Sequence, residues 1–511
     1  MQRTHDQEAI IQNRGGSLLV SAAAGSGKTR VLVERLLERV TSEHRRIDEF
    51  LIITFTRAAA EELRARISRE LSILRSEHPS DPHLRRQTAL IYKTQISTID
   101  SFCSVLLREW GHLLDLPADF SLCEAEEAEL LKRQALDEVL ETRYEIIAPE
   151  FEQLLDILAA GRDDSRLIDI VLDMYNRMQS HPNPDAWMRE QETVMDVTSV
   201  IDVSETIWGK LLLEDTERTA THLAAQMRRA IDLVSTDEKL ATAYLDSFEE
   251  TETALEKLEA ESRTTWDRAA AAAAIPFTRL KAVRNCEDIQ TQNQVKAIRE
   301  RCKKMSETIA LRFESKSAEL LADLKMLYPA MCGLFALVRD FSKRYQEVKR
   351  RRSLLDFSDL EHFAIKLLTQ EDGTPTALAK EWGSQFLEIM VDEYQDTNQV
   401  QNIIFDAISD EGRNLFMVGD VKQSIYRFRL ADPTIFLKKY KEFKPHDKAG
   451  EGEPRKILLS QNFRSRPEVL ETVNDLFRNI MSEELGEMNY TAEEALYPAG
   501  TFPSGGDYAT E

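Results

Sequence analysis

Residues 22–29 read AAAGSGKT, and what flanks them sets the fold class. The run before it (residues 17–20, SLLV) is strand-like, and the apolar residues after it (Val31, Leu32, Leu36, Val40) recur at helical spacing. A glycine turn between a strand and a helix is what a phosphate requires: converging backbone N–H groups and the positive end of a helix. Gly25 and Gly27 remove side chains that would block the approach, and Ala22, Ala23, Ala24 and Ser26 complete the cradle. Lys28 reaches the outer phosphates and the Thr29 hydroxyl is a ligand for Mg²⁺. Ala22 stands where the G-x-x-x-x-G-K-[ST] pattern begins with glycine, which leaves the GxGK turn intact. The competing reading, an ordinary glycine loop beside a helix, is disfavoured by the strand before and the helix after.

Outward from this loop, apolar runs alternate with helical patterns. Residues 50–55 (FLIITF) predict a strand buried on both faces, followed by a helix over 57–74, and residues 95–99 a third strand. Such alternation predicts an α/β fold with a parallel sheet whose ligands sit at the strand C-terminal ends. From about residue 109 to 352 glycine is scarce and apolar residues keep helical spacing (Leu320, Leu321, Leu324, Leu327), which predicts a helical insertion. The Ala269–Ala274 run is helix-prone until Pro276 interrupts it. Strand patterns resume at 386–391, 414–418 and 456–459, so one sheet is expected to be split by the insertion. Residues 446–454 read as a linker, and the tail from Pro498 as disordered.

Two further pieces carry chemistry. Asp392 and Glu393 end the strand over 386–391 within the string DEYQD: Asp392 suits Mg²⁺ as a hard oxygen ligand, and Glu393 suits activation of an attacking water. By itself this is a solvated acidic turn; with a phosphate loop in the same sheet the catalytic reading leads. After the strand over 414–418 comes GDVKQSIYRFR, in which Gln423 is placed to meet a γ-phosphate. Tyr426 and Phe428 there alternate on what reads as an extended stretch, as rings for bases or as core aromatics. In QNFRSR, Arg464 is a candidate to neutralise a transferring phosphoryl group and Phe463 to stack on adenine, while Arg466 reads as a surface arginine.

The 511 residues suit roughly three domains. A net charge of −23 argues against a simple DNA-coating protein but not against a motor with a local positive groove. No stretch approaches the ~20 apolar residues of a membrane span, and the N-terminus lacks a signal-peptide layout. Cys103, Cys123, Cys286, Cys302 and Cys332 are scattered and fit reduced cytoplasmic thiols. The basic run 343–352 (KRYQEVKRRR) reads as a solvated helix face.

Taken together the pieces resemble the superfamily 1 helicases of the UvrD/Rep group, and within it the AddA-type subunits of bacterial helicase-nucleases. AAAGSGKT is similar to motif I, TFTRAAAEEL to motif Ia, STIDSF to motif Ib, VDEYQDTNQVQ to motif II, GDVKQSIYRFR to motif III and QNFRS to motif IV. LDFSDL (residues 355–360) is similar to a stretch that precedes motif II. The resemblance implies that Gln7 reads adenine and that Phe55, Thr56, Thr98, Tyr426 and Phe428 contact single-stranded DNA. Asp100 stands where the family more often has histidine, and Phe428 where UvrD has tryptophan. It further implies a RecA-like P-loop NTPase with a first motor domain in two parts (1–109 and 353–455). A helical domain 1B (110–352) would interrupt it, and residues 456–511 would form the start of a second RecA-like domain with a disordered tail. The implied activity is ATP- and Mg²⁺-dependent 3′-to-5′ translocation or unwinding in double-strand-break repair and recombination, with an AddB-like protein as the second component. No stretch resembles motifs V and VI, so the chain is expected to be a fragment. The alternatives are a nucleotide-, DNA- or partner-binding module without turnover, and an unrelated P-loop kinase.

Overall fold

The computed structural model describes residues 3–158, 164–283 and 288–502. Its strands are β1 (Leu18–Ala22), β2 (Phe50–Ile53), β3 (Gln95–Ser97), β4 (Ser121–Leu122), β5 (Leu354–Leu355), β6 (Glu388–Val391), β7 (Leu415–Gly419), β8 (Lys444–Pro445), β9 (Arg455–Leu459), β10 (Gln461–Asn462) and β11 (Tyr497–Pro498). Seven of them form one sheet in the order β3-β2-β6-β7-β1-β9-β8, and every neighbouring pair is parallel. Such a sheet is covered on both faces, so its inner strands must be apolar throughout. Successive side chains indeed enter opposite cores: Leu19, Leu51, Ile53, Ile389, Val391 and Met417 pack on one side. Leu18, Val20, Phe50, Ile52, Met390 and Phe416 pack on the other.

The chain divides into two compact units. One comprises Met1–Glu138, Leu172–Pro184 and Phe341–Glu511, and holds the sheet; the other comprises Val139–Val171 and Asp185–Asp340. Among its described residues the second unit has no strand. Its core lies along helices Ile207–Val234, Glu238–Ser262 and Ile289–Arg312, through Leu223, Met227, Tyr244, Phe248, Leu255 and Ile309. Helix Trp266–Ala272 stops ahead of Pro276. In the first unit, β4 pairs in parallel with β5 across more than two hundred intervening residues.

Four expectations change. The strand expected to open a second domain at residue 456 is instead β9, hydrogen-bonded to β1 along its whole length, so it belongs to the first sheet. The run 343–352 is not uniformly solvated, because Lys349 is 1% exposed and pairs with Asp356 (2.7 Å) and Asp359 (2.5 Å) over the Tyr345 ring. Residues 427–429 form a 3-10 turn rather than an extended stretch. Helix Ser317–Arg351 is long and apolar enough by composition alone to cross a membrane, which the sequence reading did not anticipate, and it carries Pro329 inside it. Cys286 and the end of the tail, residues 503–511, lie outside the described residues; Cys103, Cys123, Cys302 and Cys332 are free thiols.

Candidate functional site

Because the strands run the same way, their C-terminal ends open on one edge of the sheet. The loop after β1 is built there. Gly25 (φ 70°) and Gly27 (φ 92°) hold left-handed backbone, which costs a side-chain-bearing residue roughly 1–2 kcal/mol. A Cβ on Gly25 would also lie 2.7 Å from Asn462 Nδ2 and 2.9 Å from Arg464 Cβ.

Three groups tether the loop's carbonyls. Asn462 Nδ2 donates to Ala24 O (2.6 Å), the Phe463 N–H to Gly25 O (3.0 Å) and Gln7 Nε2 to Ser26 O (3.2 Å). Of the N–H groups that follow these carbonyls, that of Ser26 donates to Ala23 O (3.1 Å) and closes a turn. Gly27 gives helix Lys28–Thr41 no side-chain cap, so the first-turn N–H groups stay available to an anion. Ala22 and Ala23 are committed to the sheet instead: Ala22 pairs with Leu459, and Ala23 N–H donates to Leu459 O. The Ser26 hydroxyl is buried with no hydrogen-bond partner among the described residues, a free polar atom in the cradle.

The groups predicted to share one phosphate–metal complex converge. Lys28 Nζ lies 2.8 Å from Glu393 Oε2 and 3.3 Å from Gln423 Oε1, partners 365 and 395 residues away in the chain. Thr29, Asp392, Glu393 and Gln423 line one cavity of about 330 Å³, with Arg66 and Asp396 also on its wall. Glu393 adopts φ 51°, ψ 44°, a left-handed conformation rare for a residue with a side chain, immediately after a fully buried strand. Gln395, Asp396 and Asp420 were not singled out from the sequence. Gln395 Nε2 donates to Glu393 Oε2 (2.9 Å), and its Oε1 accepts the Asp420 N–H (2.9 Å). Asp420 Oδ2 accepts from Gln423 Nε2 (2.7 Å). For Gln395 and Asp396 the available signal is the string DEYQD itself, in which Gln395 folds back onto Glu393.

Burial, then the charge of Glu393, raises the Asp392 carboxyl to about 6. Asp396 rises to about 6 for the same two reasons. The donor set (hydroxyl, carboxylates, a lysine and a glutamine) fits a hard divalent cation with phosphate oxygens. If Asp392 is a ligand of the cation, nucleotide binding that depends on Mg²⁺ is expected to weaken as pH falls through about 6, because protonation removes that carboxylate. Titrating Mg²⁺ against a fluorescent nucleotide at pH 5.5 and 7.5 measures this, and equal midpoints would exclude Asp392 as ligand.

Other predicted residues separate into two groups. The Phe55 and Tyr426 rings stack at 4.7 Å, and Phe428 follows Tyr426 at 5.9 Å and is 75% exposed. Thr56 and Thr98 use their hydroxyls as helix caps, accepting from Ala59 N–H (3.1 Å) and Ser101 N–H (3.3 Å), and Thr98 is buried. Asp100, raised to about 6 by burial against the opposing charge of Arg57, lines a second cavity of about 210 Å³ beside Phe55, Thr56 and Thr98. Gln7 is buried, with both ends of its amide engaged: it takes the Thr4 N–H (3.2 Å) and holds Ser26. Arg464 is exposed beside Gly25, and Phe463 is half-buried.

The family described as the UvrD/REP helicase N-terminal domain matches residues 3–444. The chain belongs to the UvrD/Rep helicase family. Curated relatives named as subunits of an ATP-dependent helicase/nuclease align along nearly all of it. The one from Acetivibrio thermocellus is 41% identical over 96% of this chain and 40% of its own length. The one from Clostridium novyi is 39% identical over 98% and 41%, and that from Listeria welshimeri 37% identical over 99% and 42%. The chain thus spans about two-fifths of the length of these UvrD/Rep-family relatives.

Proposed function

We propose that this chain is the ATP-binding motor segment of a DNA helicase that moves 3′-to-5′ along single-stranded DNA, with Mg²⁺ as its cofactor. What carries the reading is the meeting of Lys28 with Glu393 and Gln423, two residues that line one cavity together with Thr29 and Asp392. Lys28 is assigned to the outer phosphates, Thr29 and Asp392 to the cation, Glu393 to the attacking water and Gln423 and Arg464 to the γ-phosphate. The bound cation would supply charge neutralisation and polarisation at the phosphoryl oxygens. When nucleotide enters, Lys28 exchanges its carboxylate partner for phosphate oxygens, and Glu393 is released to accept a proton from water. Gln7 supports the loop from behind and, to read the base, would have to exchange its bond to Thr4 or Ser26 for one to adenine, and Phe463 is assigned to the adenine face. Residues 139–171 and 185–340 would correspond to domain 1B, and the segment after β9 to the start of the second motor domain.

For the strand we assign the ring series Phe55, Tyr426 and Phe428, because stacking on π-faces grips any base. Thr56 and Thr98 set the helices beside it. The name shared by the relatives supports a role as one subunit of a helicase/nuclease; recombinational repair in the cytoplasm, with an AddB-like partner, is the setting we assign to it.

The test is ATP hydrolysis by the chain with and without oligo-dT. Stimulation by DNA supports the motor, binding of both ligands without turnover would reduce the chain to a binding module, and DNA-indifferent phosphoryl transfer would point to a kinase. Phe428→Ala is expected to weaken oligo-dT binding by about 1–3 kcal/mol while nucleotide affinity stays put. Unchanged anisotropy titrations would remove Phe428 from the DNA surface.

A further inference from the structure

Next to Gln423, Lys422 is held between two carboxylates with its side chain 10% exposed: its Nζ lies 3.0 Å from Asp420 Oδ1 and 2.9 Å from Glu494 Oε2. Glu494 is distant in sequence, and its side chain is only 5% exposed. Its other oxygen accepts the Tyr440 hydroxyl at 2.6 Å. Asp420 is shared, since one oxygen takes Lys422 and the other takes the Gln423 amide at 2.7 Å. One unbroken set of charge-assisted contacts thus runs from Glu494 through Lys422 and Asp420 to the amide that faces Lys28.

The segment bearing Glu494 is itself tied to the arm that carries Arg464. Asn474, buried in helix Pro467–Ile480, accepts the Leu496 N–H (2.9 Å) and the Tyr490 hydroxyl (2.7 Å) and donates to Leu496 O (2.9 Å). β11, directly after, pairs in parallel with β10, whose Asn462 holds the phosphate loop. Leu470 and Leu496 pack on Ala23 of that loop. A buried carboxylate is expensive to desolvate, and apolar packing would hold this segment as well. The ion pair adds something apolar packing would not: a fixed distance between Gln423 and the Arg464 arm.

We infer that Glu494 is a positioning residue for γ-phosphate sensing, locking Gln423 to the Arg464-bearing segment so that both arms answer to the same phosphate. The inference rests on the nucleotide assignment above. It predicts that losing Glu494 blunts discrimination between ATP and ADP and leaves the phosphate loop's grip on ADP intact.

The experiment titrates the 511-residue chain, with Mg²⁺, against ADP and against a non-hydrolysable ATP analogue by calorimetry. The wild-type chain is expected to prefer the analogue. In Glu494→Gln the analogue's affinity should fall about tenfold, with ADP within about twofold. An unchanged ratio, an equal fall for both nucleotides, or a wild-type chain without preference would each overturn the inference. Should Glu494→Gln fail to fold, Glu494→Asp keeps the charge, draws the carboxylate back by one methylene, and is judged by the same ratio. Lys28→Ala run in parallel isolates the underlying assignment. If it binds both nucleotides like wild type, the nucleotide site is wrong; if it loses both while Glu494→Gln keeps the wild-type ratio, only the role of Glu494 falls.

Discussion

Replacing Glu393 with glutamine is expected to slow ATP hydrolysis by about 10²–10⁴-fold while nucleotide binding is kept or tightened. The first half follows from removing the carboxylate assigned to the attacking water. The second follows from electrostatics: the Glu393 charge helps raise Asp392 to about 6, and the carboxylate occupies Lys28 at 2.8 Å. Neutralising it lowers the proton affinity of Asp392, the proposed metal ligand, and frees the lysine for phosphate. Lys28→Ala should do the opposite, losing binding and hydrolysis together. Single-turnover hydrolysis and equilibrium binding on the two variants separate the roles. If Glu393→Gln hydrolysed ATP at the wild-type rate, the base would have to be sought elsewhere on the cavity wall, where Asp396 has a buried oxygen with no partner among the described residues.

Motifs are legible in the sequence wherever local chemistry and local geometry coincide. A parallel strand buried on both faces must be a continuous apolar run, so β2, β6 and β7 stand out, and the polar residues just past their ends can be read as facing a ligand. The long helical stretch between them is visible from its periodicity. Pairings between distant segments are not. A short apolar run after a linker carries no mark of the sheet it joins, which is why β9 reads as the opening of a second domain although it pairs with β1. Glu388 looks like a polar interruption in FLEIMV, and nothing local points to its partner 353 residues away. For Thr56 and Thr98 the resemblance implies contacts with a DNA strand; the structure adds that both cap the helices that follow their sheet strands. Tyr426 and Phe428 share a neighbourhood as expected but on a different backbone, since two rings at i and i+2 fit a 3-10 turn as well as a strand.

That buried partner of Glu388 sets the second large effect. Arg35, on the helix that leads out of the phosphate loop, donates to Glu388 at 2.6 Å and 3.2 Å, and Arg39 reaches the same carboxylate at 3.2 Å. Arg35 also donates to Ile10 O at 2.5 Å and Asn13 O at 2.9 Å. Arg35→Leu leaves a core carboxylate to Arg39 alone and those carbonyls short of a donor, so a loss toward the lower end of about 3–5 kcal/mol is expected. Arg35→Leu/Glu388→Leu should be less destabilised than Arg35→Leu alone, because the underpaired charge is gone, though the carbonyls remain unserved. Urea unfolding followed by circular dichroism measures both; a double variant no better than the single would place the cost in the carbonyls rather than the charge.

The pH dependence follows from the same pair. Desolvation pushes the Glu388 carboxyl up, but the charges and hydrogen bonds of Arg35 and Arg39 outweigh it and hold it below the ordinary carboxylate value. A depressed folded value contributes stability that is present above the unfolded value and is lost as pH falls through the folded one. The single and double variants should therefore differ from wild type across neutral pH and converge toward it in acid. Because the strand that begins at Glu388 ends beside Asp392, and the helix that carries Arg35 begins at Lys28, this pair braces the two sides of the cavity. Arg35→Leu should then weaken Mg²⁺-dependent nucleotide binding even at temperatures where the chain is still folded.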